Sequence, residues 1–149
     1  MLFRSPQERE ILGAIPYQEN EAVLHTDRNL LPRRRLAWAS WNYHLLDRPQ
    51  ERVAVTYHMN ALQRLTAPRE FCVTLNHADA IAPSAILRRI VYHHPVYTAA
   101  ALAAQRRHRE INALSRTHYC GAYWGFGFHE DGVNSALEVC RTFQGVRAA

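Results

Sequence analysis

A chain of 149 residues, 48% apolar and 21% charged, is long enough for one domain with a real core, and its composition excludes disordered, low-complexity and repeat classes. Eighteen Lys+Arg against thirteen Asp+Glu give +5, carried by arginine in the clusters Arg33-Arg34-Arg35, Arg88-Arg89 and Arg106-Arg107. Such a charge permits nucleic-acid binding without arguing for it, and the clusters fall on separate predicted elements, so no nucleic-acid partner is expected. Cys72, Cys120 and Cys140 are far apart with no CxxC spacing, which signals neither a disulfide framework nor a zinc site and suits a reducing cytosol. No apolar signal core and no run near the roughly 18 apolar residues of a membrane helix is present, so a cytoplasmic protein without a membrane span is expected.

In chain order, Ser5-Pro6-Gln7-Glu8 reads as a helix start with a capping box, and Gly13 as its end. EAVLHTD follows as a strand. LAWASWNY and RVAVTYHMNAL alternate with period two and are rich in β-branched and aromatic residues, which predicts two longer strands. In the first, Ala37, Ala39, Trp41 and Tyr43 share one face, with Trp38 on the other. In the second, Val53, Val55, Tyr57 and Met59 alternate with Ala54, Thr56, His58 and Asn60. LLDRPQE between them makes a hairpin with a long loop. FCVTLN adds a strand, and the set predicts an antiparallel meander. Ile86 to His93 is a further strand stopped by Pro95, and TAAALAAQRRHREINA is a helix capped by Thr98.

The densest stretch is THYCGAYWGFGFHEDGVNSALEVC, residues 117 to 140. Thr117 to Cys120 reads as a strand, residues 121 to 129 as a turn, and Asp131 onward as a helix. Val133, Ala136, Leu137 and Cys140 are spaced to form its apolar face. Gly121, Gly125, Gly127 and Gly132 permit close backbone approach, and a helix N-terminus there suits an anionic or electron-rich group. GFGFHEDG has neither GxGxxG nor phosphate-loop spacing, so a tight surface turn fits the same residues. The nine histidines show no HxH or HExxH pattern, and no metal site is expected. Trp38, Trp41, Tyr43 and Tyr57 read as sheet core before binding wall. No catalytic nucleophile has supporting context, and the catalytic residues stay unassigned.

EREILGAIPYQENEAVLHTDRNLLPRRRLAWASWNYH, TYHMNALQRL and HYCGAYWGFGFHEDGVNSALEV resemble, in that order, the C-terminal half of a bacterial family of predicted NAD/FAD-binding oxidoreductases, similar to the flavin-containing amine oxidase superfamily. The resemblance implies an α+β fold: an antiparallel, substrate-domain-like sheet over 1–115, and a C-terminal strand-turn-helix of an FAD-binding domain over 116–149. It implies FAD as cofactor. Gly121, Gly127, Phe128, His129, Asp131, Gly132, Val133 and Asn134 would lie at the flavin, with the Val133 and Asn134 amides toward its N1/O2 edge. Trp41, Tyr57 and His58 would stand on the side of a small-molecule substrate. Ala122 replaces the acidic residue usual after the strand-end glycine. The family's opening βαβ unit with GxGxxG, which binds the ADP half of FAD, has no counterpart here. The expected partner is therefore a complementary N-terminal Rossmann half, and the chain a truncated or split enzyme. The alternative is a non-catalytic interaction module derived from the substrate domain.

Overall fold

The computed structural model of the chain describes residues 5–47, 51–112 and 116–146. Its regular elements are α1 (Pro6–Gly13), β1 (Tyr17–His25), β2 (Trp41–Tyr43), β3 (Val55–His58), α2 (Met59–Gln63), β4 (Cys72–Leu75), β5 (Ile86–Pro95), α3 (Ala99–Gln105), α4 (His108–Ile111) and α5 (His129–Val146). The chain divides into two compact units, Glu19–His93 and the paired segments Met1–Gln18 and His94–Ala149. The 115/116 boundary implied by the resemblance concerns the domains of a whole enzyme and is a separate matter. Among the described residues no helix is long and apolar enough to cross a membrane.

The α+β class and antiparallel sheet follow the sequence reading, but the sheet is not a plain meander. Its order is β2-β3-β4-β1-β5. β2, β3 and β4 follow one another, with Trp41 opposite Tyr57 and Thr56 opposite Thr74. β1 then pairs with the far side of β4, Val23 opposite Thr74. The cause lies in residues 26–40, which make no hairpin turn. They form two 3₁₀ turns, Arg28–Leu30 and Arg35–Ala37, and carry the chain to the opposite edge. The Asp27 carboxylate pins this crossing by accepting from the Asn29 and Ala82 amides, both at 2.9 Å.

Both long predicted strands are shorter than their alternation suggests. Arg35–Ala37 is a 3₁₀ turn because the Trp38 indole N–H donates to the Pro32 carbonyl at 2.7 Å and folds the segment back. β3 ends at His58 and the chain turns into α2. There the Asn60 side chain accepts from the Phe71 amide at 2.7 Å and donates to the Arg69 carbonyl at 2.9 Å. Side-chain-to-backbone bonds of this kind compete with ladder pairing.

Residues opposite one another share a sheet face, and the register sorts them in an unexpected way. One face holds the rows Asn42, Thr56, Thr74, Val23 and His58, Cys72, His25, all buried. It is covered by Leu30, Ala78 and Ile81, which cluster with Val23. The other face holds Tyr43, Val55, Leu75, Ala22 and Trp41, Tyr57, Val73, Leu24. There Trp41 is 59% and Tyr43 63% exposed, and only Ala22 and Val55 are buried. The polar side chains lie under cover and the aromatic ones face out.

Covered polar groups must pair or cost stability; His58 Nδ1 has no partner among the described residues, but His25, Thr74 and Thr56 pair, with His44, in one line. His25 Nε2 is 2.8 Å from Thr74 Oγ1, Thr74 Oγ1 is 2.7 Å from Thr56 Oγ1, and Thr56 Oγ1 is 2.7 Å from His44 Nε2. The Asp27 amide donates to His25 Nδ1 at 3.1 Å, which fixes the order of donors. With Nδ1 accepting, His25 donates through Nε2, Thr74 donates to Thr56, and Thr56 donates to His44.

In the other unit, α1, α3 and α4 enclose Ile11, Ile15, Ala101, Ala104 and Ile111. The Ser5 capping box forms as expected: Glu8 N–H donates to Ser5 Oγ at 3.2 Å and Ser5 N–H to Glu8 Oε2 at 2.6 Å. Thr98 caps α3, but the single helix expected from there breaks after Gln105. Backbone bonds from Arg107 to Ala104 and from Glu110 to Arg107 tighten the turn, and α4 restarts on a new line with Ile111 in the core.

Thr56→Val keeps the shape but strands the Thr74 hydroxyl and His44 Nε2, so a loss of about 1–3 kcal/mol is expected, read as a lower urea midpoint. Protonation acts on the same line. Burial lowers the His25 imidazole below its ordinary 6.5 despite the opposing pull of Asp27. Burial, and then His77, lower His44 likewise. As pH falls the unfolded chain binds these protons first, so stability is full above the ordinary histidine value of 6.5 and declines below it. Urea midpoints at a series of pH values test the sign.

Candidate functional site

The glycine turn leads into α5, and its backbone is satisfied by the chain's own side chains. Asp131, third residue of the helix, accepts through Oδ2 from the Phe126 amide at 2.9 Å and the Phe128 amide at 3.0 Å. Ser135 Oγ accepts from the Gly121 amide at 2.8 Å and lies within bonding distance of the Gly121 and Gly132 carbonyls. From α3, the Gln105 side-chain amide donates to the Tyr123 and Gly125 carbonyls. Two glycines are required by this packing. A Cβ on Gly125 would run into the Asp131 carboxylate. One on Gly127, whose φ is +88°, would sit 2.7 Å from the Tyr97 hydroxyl.

Three expectations for this stretch are corrected. Thr117–Cys120 is no strand: the Tyr119 amide donates to Asn112 Oδ1 at 2.8 Å and its carbonyl meets His108 Nε2 at 2.6 Å, so side chains take the place of a ladder. The helix begins at His129, not at Asp131. Val133 and Asn134 are thus its fifth and sixth residues, and their amides are spent on intrahelical bonds, leaving first-turn amides free. The face carrying Val133, Ala136, Leu137 and Cys140 is not the packed one. Val133, Leu137 and Cys140 are exposed, and among the described side chains the buried positions of α5 are Ser135 and Val139. Ser135 turns that side inward because it is needed by the Gly121 backbone.

What the structure brings together at the head of α5 is an outward set: Phe128 (61% exposed), His129, Val133 and Asn134. Asp131 and Gly132 belong to the inner side of the same turn, Gly132 packing on Ala122 at 3.7 Å. Trp41 and Tyr57 belong to the other compact unit, where their rings meet edge to face at 5.1 Å on the open sheet face. His58 does not join them. It points to the covered face, with Nε2 2.7 Å from Glu70 and its ring against Trp38.

Tyr97, Gln105 and Ser135 build the site without having been singled out in the sequence. Only Ser135, lying one helical turn beyond Asp131, carried a local signal. The Tyr97 hydroxyl and Trp124 Nε1 are buried without a hydrogen-bond partner among the described residues. Burial, then Asp131 and Tyr17, push the Tyr97 phenol up, so it stays protonated and an unused donor. The turn can thus hold its own backbone rigid, offer a helix N-terminal dipole, and present aromatic and amide side chains outward. No family model matches this chain, and no curated protein does either.

Gly127→Ala should destabilise by about 1–2 kcal/mol from the left-handed backbone alone, and further from the Tyr97 contact. In Tyr97→Phe the hydroxyl is gone, and the same glycine change should cost less. A double-mutant cycle of thermal unfolding measures the difference, and additivity would show that the two residues do not touch.

Proposed function

We propose that this chain is the C-terminal portion of an FAD-dependent, amine-oxidase-like oxidoreductase. Residues 1–115 would contribute substrate-domain sheet, and residues 116–149 the last turn and helix beside the flavin. Three ordered blocks of sequence resemblance support the reading, and one structural observation carries it. The head of α5 is held by bonds from Asp131, Ser135 and Gln105, yet it leaves the apolar side chains of Phe128 and Val133 uncovered. A rigid turn with exposed Phe128 and Val133 is prepared to pack against a flat apolar partner.

The residues fit such a group at side chains and first-turn amides, not at the Val133 and Asn134 amides. Phe128 and His129 would flank the ring system, and the Asn134 side chain is free to bond a polar edge. The N-terminal dipole of α5 favours negative charge beside it. Bound FAD would supply the hydride acceptor, and this chain positioning and electrostatics. The open sheet face with Trp41, Tyr43 and Tyr57 would offer the small-molecule substrate an apolar wall. A complementary chain with a GxGxxG βαβ unit would bind the ADP half.

The test is co-production with such an N-terminal half from an amine-oxidase-like flavoprotein, reading the visible flavin spectrum and the flavin-to-protein ratio. The chain alone should retain no stoichiometric flavin, the pair should, and Phe128→Ala should lower the retained fraction. Stoichiometric flavin on the isolated chain would overturn the division into halves. A stable pair without flavin would favour the interaction module.

A further inference from the structure

The clearest charge concentration of unit Glu19–His93 lies on the segment that follows β1. Two cavities, of about 610 Å³ and about 400 Å³, share Arg28 and Arg35 in their walls. The first adds Arg33 and Trp38, the second Arg69 and Glu70. Each is of the size of a small-molecule cleft. Arg33 lines only the first and Arg69 only the second, so the second cavity sets three guanidinium groups against the one carboxylate of Glu70.

The single carboxylate is already committed. Glu70 Oε2 is 2.7 Å from His58 Nε2, and Glu70 Oε1 accepts from Arg35 at 3.1 Å. Arg35 in turn lies 4.9 Å over the Trp38 ring, whose N–H is fixed on the Pro32 carbonyl. Arg35 is therefore held in place, as preorganised recognition requires. Arg28, Arg33 and Arg69 have no ion-pair partner among the described residues. Like charges gathered without counter-ions repel one another, and a bound anion removes that cost. The backbone beneath is rigid, since Asp27 bonds the Asn29 and Ala82 amides.

We infer that the second of these cavities binds a phosphate group, with Arg28 and Arg69 as its direct ligands and Arg35 as the fixed wall. Guanidinium forks match phosphate oxygens in pairs, so a phosphomonoester or diphosphate is the chemistry that uses two of them at once. The site is independent of the flavin reading and shares none of its residues. The phosphate can belong to a soluble compound or to a lipid headgroup.

Calorimetric titration of the full chain with inorganic pyrophosphate at low ionic strength tests the site. Saturable binding is expected, and Arg28→Ala/Arg69→Ala should weaken it at least about tenfold through two lost charge-assisted contacts. The side chains of Arg28 and Arg69 make no ion pair or hydrogen bond among the described residues, so an unchanged urea midpoint should accompany the loss. Arg88→Ala/Arg106→Ala, exposed and outside the cleft, should bind as the parent does. Sedimentation with phosphatidylcholine vesicles, with and without phosphatidic acid, separates the sources. Pyrophosphate-sensitive capture by the acidic vesicles assigns the phosphate to lipid, and titration without capture assigns it to a soluble compound. Absence of saturable binding, or equal loss in both double variants, overturns the site.

Discussion

The sheet closes around a line of hydrogen bonds that runs across its strands. His25, Thr74, Thr56 and His44 come from four separate segments, and each supplies what its neighbour lacks. Desolvated hydroxyls and imidazoles left unpaired would cost more than a buried apolar contact returns. A slip of one residue in any strand would send these side chains to the open face and leave the line broken. The register is thus set by polar chemistry as much as by apolar burial.

The rest of the unit follows from that choice of face. With threonine and histidine under cover, alternation sends Trp41, Tyr43 and Tyr57 to the opposite side, where little shields them. The covering segments must supply apolar mass and backbone partners together. Leu30, Ala78 and Ile81 provide the first, and Asp27, which bonds both covering segments, the second. The same crossing segment brings Arg28, Arg33 and Arg35 to one cleft. The arginine cleft is a by-product of moving the chain from β1 to the far edge of the sheet.

Much of this was legible in the sequence. The capping box at Ser5, the Thr98 cap and the strands read at 21–27, 71–76 and 86–93 are short-range signals, and the structure follows them, although β1 starts four residues earlier at Tyr17 and ends at His25. Period-two alternation overstated strands where a tryptophan or asparagine side chain could take a backbone partner, as Trp38 and Asn60 do. The spacing of Val133, Ala136, Leu137 and Cys140 correctly marked a helix and wrongly marked its packed side. The side was decided by Ser135, whose partner Gly121 lies fourteen residues away. Amphipathic spacing says that an apolar stripe exists, and only the neighbours say whether it is covered. The glycines were legible as necessary, but the groups that require them, the Asp131 carboxylate and the Tyr97 hydroxyl, were not.

The line beneath the sheet also limits how this chain can drift. Serine could replace either threonine singly, because the hydroxyl survives and only a methyl is lost. Valine would keep the shape and cut the line in two. Neither histidine can change alone, since each ends a run whose direction is set from the Asp27 amide. A relative that has lost His44 should therefore carry a second change at Thr56 or Thr74, and those positions should vary as a group or hold as one.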